Sequence, residues 1–231
     1  MGINYSPKIV TNGLVLCLDA ANSLSYPGSG TVWTDLSGNG NNGTLTNGPT
    51  YSSANRGSIV FDGSNDYVLT TRPSQIIASG AISIALWAKW TTSGNTTSTI
   101  QTLVDNNHAG SPNRGFVIQD RPDLSKILTF SVRPSGVGAR SNAIIGDNNW
   151  HFIVGTNDTS TSALYIDGVL NATTVESGGI PSVTNNISIG YWQGGTRYMN
   201  GIIPQVLIYN RALSASEVQQ NYNATKGRFN L

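Results

Sequence analysis

The chain has 231 residues, 38% of them hydrophobic and only 11% charged, and 13 Lys and Arg stand against 12 Asp and Glu for a formal net charge of +1. That length suits one large β domain. Its nine Arg and four Lys occur singly, which excludes the basic cluster that phosphate backbones require, and its one cysteine, Cys17, excludes an intrachain disulfide or a thiolate metal cluster.

The N-terminus has no charged stretch followed by an apolar one, so no signal peptide is expected, and no apolar run reaches the length of a membrane span. Residues 1–13 are expected to form an arm. Leu14, Val15, Leu16, Cys17 and Leu18 then read as a short buried strand, with Cys17 a small buried hydrophobe. Val32, Trp33 and Thr34 suggest a brief strand, followed by a tight Gly- and Asn-rich loop over 35–43. Strands are expected at 44–46, 57–61 and 67–70, the last two as a hairpin-like pair across the turn 62–66. One helical turn is expected near Ser74.

The clearest strand lies at 81–90. Ile82, Ile84, Leu86, Ala88 and Trp90 fall on one face, a period of two sustained over nine residues. Trp87 on the other face implies that this face is also covered. Further strands are expected at 100–104, 115–119, 127–132 and 150–154, where Trp150, Phe152 and Val154 share a side. Asp167-Gly168 between two extended segments is the signal of a type I′ hairpin. Strands at 187–189 and 206–209 complete the set. Ser214 and Glu217 form a capping box for a short helix over 214–223. Many short strands and one terminal helix give an all-β chain, a jelly-roll sandwich of two antiparallel sheets with one short C-terminal helix, spanning 1–231 as one domain.

Four segments carry a family pattern: 58–68, with Phe61, Asp62, Gly63, Asn65, Asp66 and Tyr67; 82–90; Trp150-His151 with Tyr165, Ile166, Asp167 and Gly168; and 201–218. In this order they resemble laminin-G-like, concanavalin-A-like jelly-roll domains. That resemblance implies two packed sheets with a concave and a convex face. It does not fix function, since lectins, adhesion modules, glycosidases and virion proteins share the fold. The opening, with Tyr5, Pro7, Asn12 and Gly13, and the segment Asp35 to Gly40 resemble structural proteins of tailed bacteriophages. One departure is Ile203-Pro204, where many relatives carry Ile-Asp; a proline there belongs at an edge or a bulge.

The expected function is therefore a non-enzymatic virion structural or decoration protein, made in the host cytoplasm, held by other virion proteins or a homo-oligomer and in contact with host-surface glycan. The alternatives are a soluble lectin-like protein and, last, a glycoside hydrolase. Hydrolysis needs two carboxylates at a set spacing, and the only glutamates are Glu176, in a glycine-rich loop, and Glu217, in the capping box. His108 and His151 are too few for a catalytic zinc site. Calcium is the one metal retained, with loop oxygens of Asp35, Asn39, Asp62 and Asp66 as the candidate ligands. Trp33, Trp192 and Tyr198 are the candidate sugar platforms. Of the long loops at 20–30, 91–99, 106–114 and 190–198, the last carries Tyr191, Trp192, Arg197 and Tyr198, the residue types enriched where partners bind, so it is the expected glycan or partner contact.

Overall fold

A computed structural model describes residues 7–71, 80–92, 99–106, 115–125, 127–132, 138–176, 178–180 and 185–231. The expected turn near Ser74, His108 and most of the loops 91–99 and 106–114 lie outside these residues.

The strands are β1 (Leu14–Asp19), β2 (Val32–Trp33), β3 (Gly43–Thr46), β4 (Thr50–Ser52), β5 (Ser58–Asp62), β6 (Tyr67–Thr70), β7 (Ile82–Trp90), β8 (Gln101–Asp105), β9 (Phe116–Arg121), β10 (Ile127–Val132), β11 (Ala139–Arg140), β12 (His151–Asn157), β13 (Thr161–Ile166), β14 (Val169–Val175), β15 (Ser188–Ile189) and β16 (Asn200–Tyr209), followed by helix α1 (Ala215–Thr225). One sheet runs β14-β13-β12-β7-β16-β5-β4, with β1 also on β16; the other runs β11-β10-β9-β8-β15-β6-β3-β2. The described pairings are antiparallel, so the expected jelly-roll of two antiparallel sheets is the fold observed.

The alternation in β7 decides the layering. Ile82, Ile84, Leu86, Ala88 and Trp90 point into the core between the sheets, with Ile118, Phe130 and Ile189 from the other sheet. Ala85 and Trp87 point outward into a second core with Phe152, Leu207, Tyr209, Val218 and Phe229. Trp87 is fully buried there, 4.2 Å from the Phe229 ring, and its indole N–H donates to Thr225 Oγ1 at 2.8 Å. The arm closes the same layer: Val10 N–H donates to Asn221 Oδ1, and Tyr209 O–H to Val10 O. The helix starts on the expected capping box, Glu217 N–H to Ser214 Oγ and Ser214 N–H to Glu217 Oε2. Arg211 grips the same carboxylate at 2.8 and 2.6 Å and holds its pKa down at about 2.

One expectation about connection changes, and another, the edge or bulge at Pro204, is met as a bulge. Strands β5 and β6 do not form a hairpin: β5 pairs with β4 and β16, whereas β6 pairs with β3 and β15, so the turn 62–66 carries the chain from one sheet to the other. Pro204 lies in a central strand, yet at a bulge. Its strand exchanges β5, paired up to Ile203, for β1, paired from Gln205, and the register on β7 slips between Ile202 and Gln205. A residue without an N–H costs no ladder bond at that handover, and its carbonyl accepts Ala20 N–H at 2.9 Å. The hairpin at Asp167-Gly168 has φ of 53° and 83°, both positive as a type I′ turn requires.

Candidate functional site

The segment 190–198 joins β15 to β16 and folds as a small hairpin, closed by a bridge between Tyr191 and Tyr198. It starts at Gly190, whose φ is 80° and where a Cβ would lie 2.7 Å from the Phe61 ring, so only glycine fits the turn so close to the core. Ser188 O–H donates to Tyr191 O at 2.7 Å, and Gln193 Nε2 to Asn186 O at 2.7 Å, which fix the base of the hairpin. Above it the Tyr191 and Tyr198 rings stack at 4.9 Å and 16°, and Tyr67 from β6 adds a third ring 5.1 Å from Tyr191. Trp192 is half-buried beneath the Arg197 guanidinium, which sits 4.2 Å from its ring centroid. Burial, helped by Arg121, lowers the pKa of Arg197 against the pull of Asp123 and Asp105. The four residues expected to make the contact are thus brought together. They divide in role, because Arg197 covers one Trp192 face whereas Tyr198 lines an open cleft.

That cleft, of about 560 Å³, lies where β5 and β7 end and β16 begins. Its floor follows the register: Ile202 pairs with Val60 on one side and Lys89 on the other, and Asn200 faces Asp62. Tyr198 meets Asp62, Lys89, Gln101, Asn148 and Asn200 there, one ring among side chains that donate and accept hydrogen bonds. Gln101 is held in place by Asn200 N–H, 2.8 Å from its Oε1. The backbone N–H groups of Ser64 and Asn65 lower the pKa of Asp62, so it enters the cleft as an acceptor. Sequence reading missed Lys89, Gln101, Asn148 and Asn200. Only Lys89 left a signal, as the single charge in the apolar strand β7.

The calcium set is not assembled. Asp35 and Asn39 belong to the loop that enters β3 near Gly43, which pairs with Thr70; Asp66 precedes Tyr67, which pairs with Thr46. The two groups therefore lie at opposite ends of the β3–β6 pair, about 10 Å of strand apart. No three His, Cys, Asp or Glu side chains among the described residues group to hold a metal ion. The Asp35 carboxylate is occupied by Cys17 N–H, Ser37 N–H, Ser37 O–H and Asn41 N–H at 2.7–3.0 Å. Asp66 accepts Asp62 N–H at 3.1 Å.

Other candidates resolve into structure. Trp33 is fully buried and offers no platform. His151 is held between Asp167, 2.8 Å from Nδ1, and Asp147, 3.2 Å from Nε2. Burial opposes its charge, but the two carboxylates outweigh it and raise its pKa. Glu176 Oε2 accepts Ser162 O–H and Val132 N–H, and burial raises its pKa.

Solved structures share this architecture. The binding domain of Paraclostridial Mosquitocidal Protein 1 superposes with a TM-score of 0.69 at 20% identity, over 93% of this chain and 52% of that one. Domain 4 of AbnA, a GH43 extracellular arabinanase from Geobacillus stearothermophilus, in complex with arabinotriose, gives 0.68 at 20% identity over 90% of this chain and 98% of that domain. The binding domain of Botulinum Neurotoxin DC in complex with SialylT gives 0.69 at 17%, over 93% and 52%. The chain thus spans about half the length of the toxin domains it matches and nearly all of the arabinanase domain. A search of curated proteins finds no match. At these identities the likeness concerns fold, but a sequence match is independent of it. The laminin-G family described as the concanavalin A-like lectin/glucanases superfamily matches residues 62–219, more than half of the chain, and the chain belongs to that superfamily.

Proposed function

We propose that this protein is a non-catalytic carbohydrate-binding module whose ligand lies in the rim cleft beside the 190–198 hairpin. The observation that carries the reading is the cleft itself: a half-exposed tyrosine braced by a second ring, facing Asp62, Lys89, Gln101, Asn148 and Asn200. An aromatic face with convergent amide and carboxylate groups suits the apolar and hydroxyl faces of a sugar. The arabinotriose bound to the AbnA domain supports the class of ligand. Binding fits the residues better than hydrolysis, because Glu217 is committed to Arg211 and the helix cap and Glu176 to Ser162.

A glycan array with the wild type and Tyr198→Ala tests this. A defined glycan should bind, and the variant should lose about 2 kcal/mol of binding while its stability falls by no more than about 0.5–1.5 kcal/mol from the lost ring pair. An array without hits, or hits unchanged by the substitution, would reject the reading. Resemblance of the opening and of residues 35–40 to tailed-phage structural proteins supports a narrower reading, in which the module is displayed on a virion, anchored by other particle proteins or as a homo-oligomer, and contacts host glycan. Peptides of this chain in purified particles test it; their absence rejects it.

A further inference from the structure

A second cavity, of about 380 Å³, lies where β1 ends, β16 bulges and α1 finishes, and it shares no residue with the rim cleft. Asp19, Arg56, Gln205, Asn223, Thr225 and Arg228 are among its walls. The turn that delivers Arg56 is strained. Asn55, Arg56 and Gly57 have φ of 51°, 69° and 132° in succession, and an arginine has no intrinsic reason to adopt the left-handed region. Gly57 is required, since a Cβ there would lie 2.1 Å from Ala20 O. Arg228 locks the turn, donating from Nε to Asn55 O at 2.6 Å and from Nη2 to Gly57 O, while Nη1 pairs with Asp19 at 2.8 Å.

The result is two guanidinium groups on one cavity. Arg56 is exposed, and its side chain makes no hydrogen bond among the described residues. Arg228 has five N–H donors and uses three, which leaves two. Burial, and also the charge of Arg56, lower the pKa of Arg228, as expected of like charges close together. Asp19, paired with Arg228 at 2.8 Å and also accepting Ala21 N–H and Gln205 Nε2, offsets one of the two guanidinium charges, so one positive charge of the three groups is left for an anion. The Asp19–Gln205 bond fixes the Gln205 amide, at 4% exposure, and leaves its Oε1 buried without a donor. A buried acceptor without a donor is costly, and a bound hydroxyl would satisfy it.

We propose that this cavity binds a small hydroxylated oxyanion, of the sugar-acid or sugar-phosphate class, with the anion between Arg56 and Arg228 and a hydroxyl donating to Gln205 Oε1. The volume suits one monosaccharide-sized ligand, and guanidinium groups recognise carboxylate and phosphate alike. Titration calorimetry at constant ionic strength with glucuronate, glucose 6-phosphate, glucose and inorganic phosphate tests it and separates the two acids. One acid or both should saturate a single site, with glucose at least tenfold weaker. Arg56→Ala should weaken the acid tenfold or more at an unchanged melting temperature, and Tyr198→Ala should leave it unaltered, which keeps this site distinct from the rim cleft. Absence of binding by both acids, or binding undiminished in Arg56→Ala, overturns the site. Inorganic phosphate binding as tightly as glucose 6-phosphate overturns the role of Gln205.

Discussion

Asp35 looks like a ligand in the sequence and acts as a staple in the fold, so its removal has a calculable cost. Its two oxygens accept four hydrogen bonds, and two of the donors, the backbone N–H groups of Cys17 and Asn41, belong to buried residues. These bonds fasten the 35–42 loop to β1, together with Asn41 Nδ2 to Val15 O and Leu36 N–H to Cys17 O, both at 2.8 Å. In Asp35→Ala both buried donors lose their acceptor at about 1–3 kcal/mol each, for a total of about 2–6 kcal/mol. For a chain of this size each kcal/mol lowers the melting temperature by about 2–4 °C, so a fall of roughly 4–24 °C is expected. Calorimetry and urea melts with calcium and with chelator measure it. The wild type should lose its lead over the variant in neither solution. A cost below about 1 kcal/mol, or a stabilisation by calcium that Asp35→Ala abolishes, would refute the staple and restore the metal, since a ligand bound only by the native state raises its stability.

His151 predicts a pH dependence. Its native pKa is raised, so its stabilisation is complete below the ordinary imidazole value of about 6.5 and is lost as pH rises through the higher native value. Urea melts of wild type and His151→Gln across this range should show the gap closing toward high pH; a gap that widens there contradicts the pairing with Asp167 and Asp147. Burial, with Asp19 and Asp35 adding to it, pushes the Cys17 thiol up to about 12, so a thiol reagent should modify it only after unfolding. Rapid labelling of the native protein would count against that environment.

The local grammar was legible in the chain. The alternation of Ile82, Ile84, Leu86, Ala88 and Trp90 specifies a strand and its core face because the side-chain period of a strand is two. Trp87 on the opposite face announces a second covered surface, since so large an apolar group is rarely left in water. Asp167-Gly168 and Ser214 with Glu217 specify a hairpin and a helix start through backbone chemistry that acts within four residues. The hairpin 190–198 was also readable, as the one long loop holding Tyr, Trp and Arg together. Pairing was not. That β5 leaves its neighbour β6 for β16, and that β16 divides one edge between β5 and β1, depends on contacts far apart in sequence, to which hydrophobic pattern is blind. The rim cleft depends on the same partnership: Lys89, Asn200 and Asp62 meet only because β7, β16 and β5 lie side by side in that register. Asp35 and Asp66 share a residue type and a loop setting, yet the β3–β6 pair holds them at opposite ends, so only the tertiary structure could decide that they are structural groups rather than one metal site.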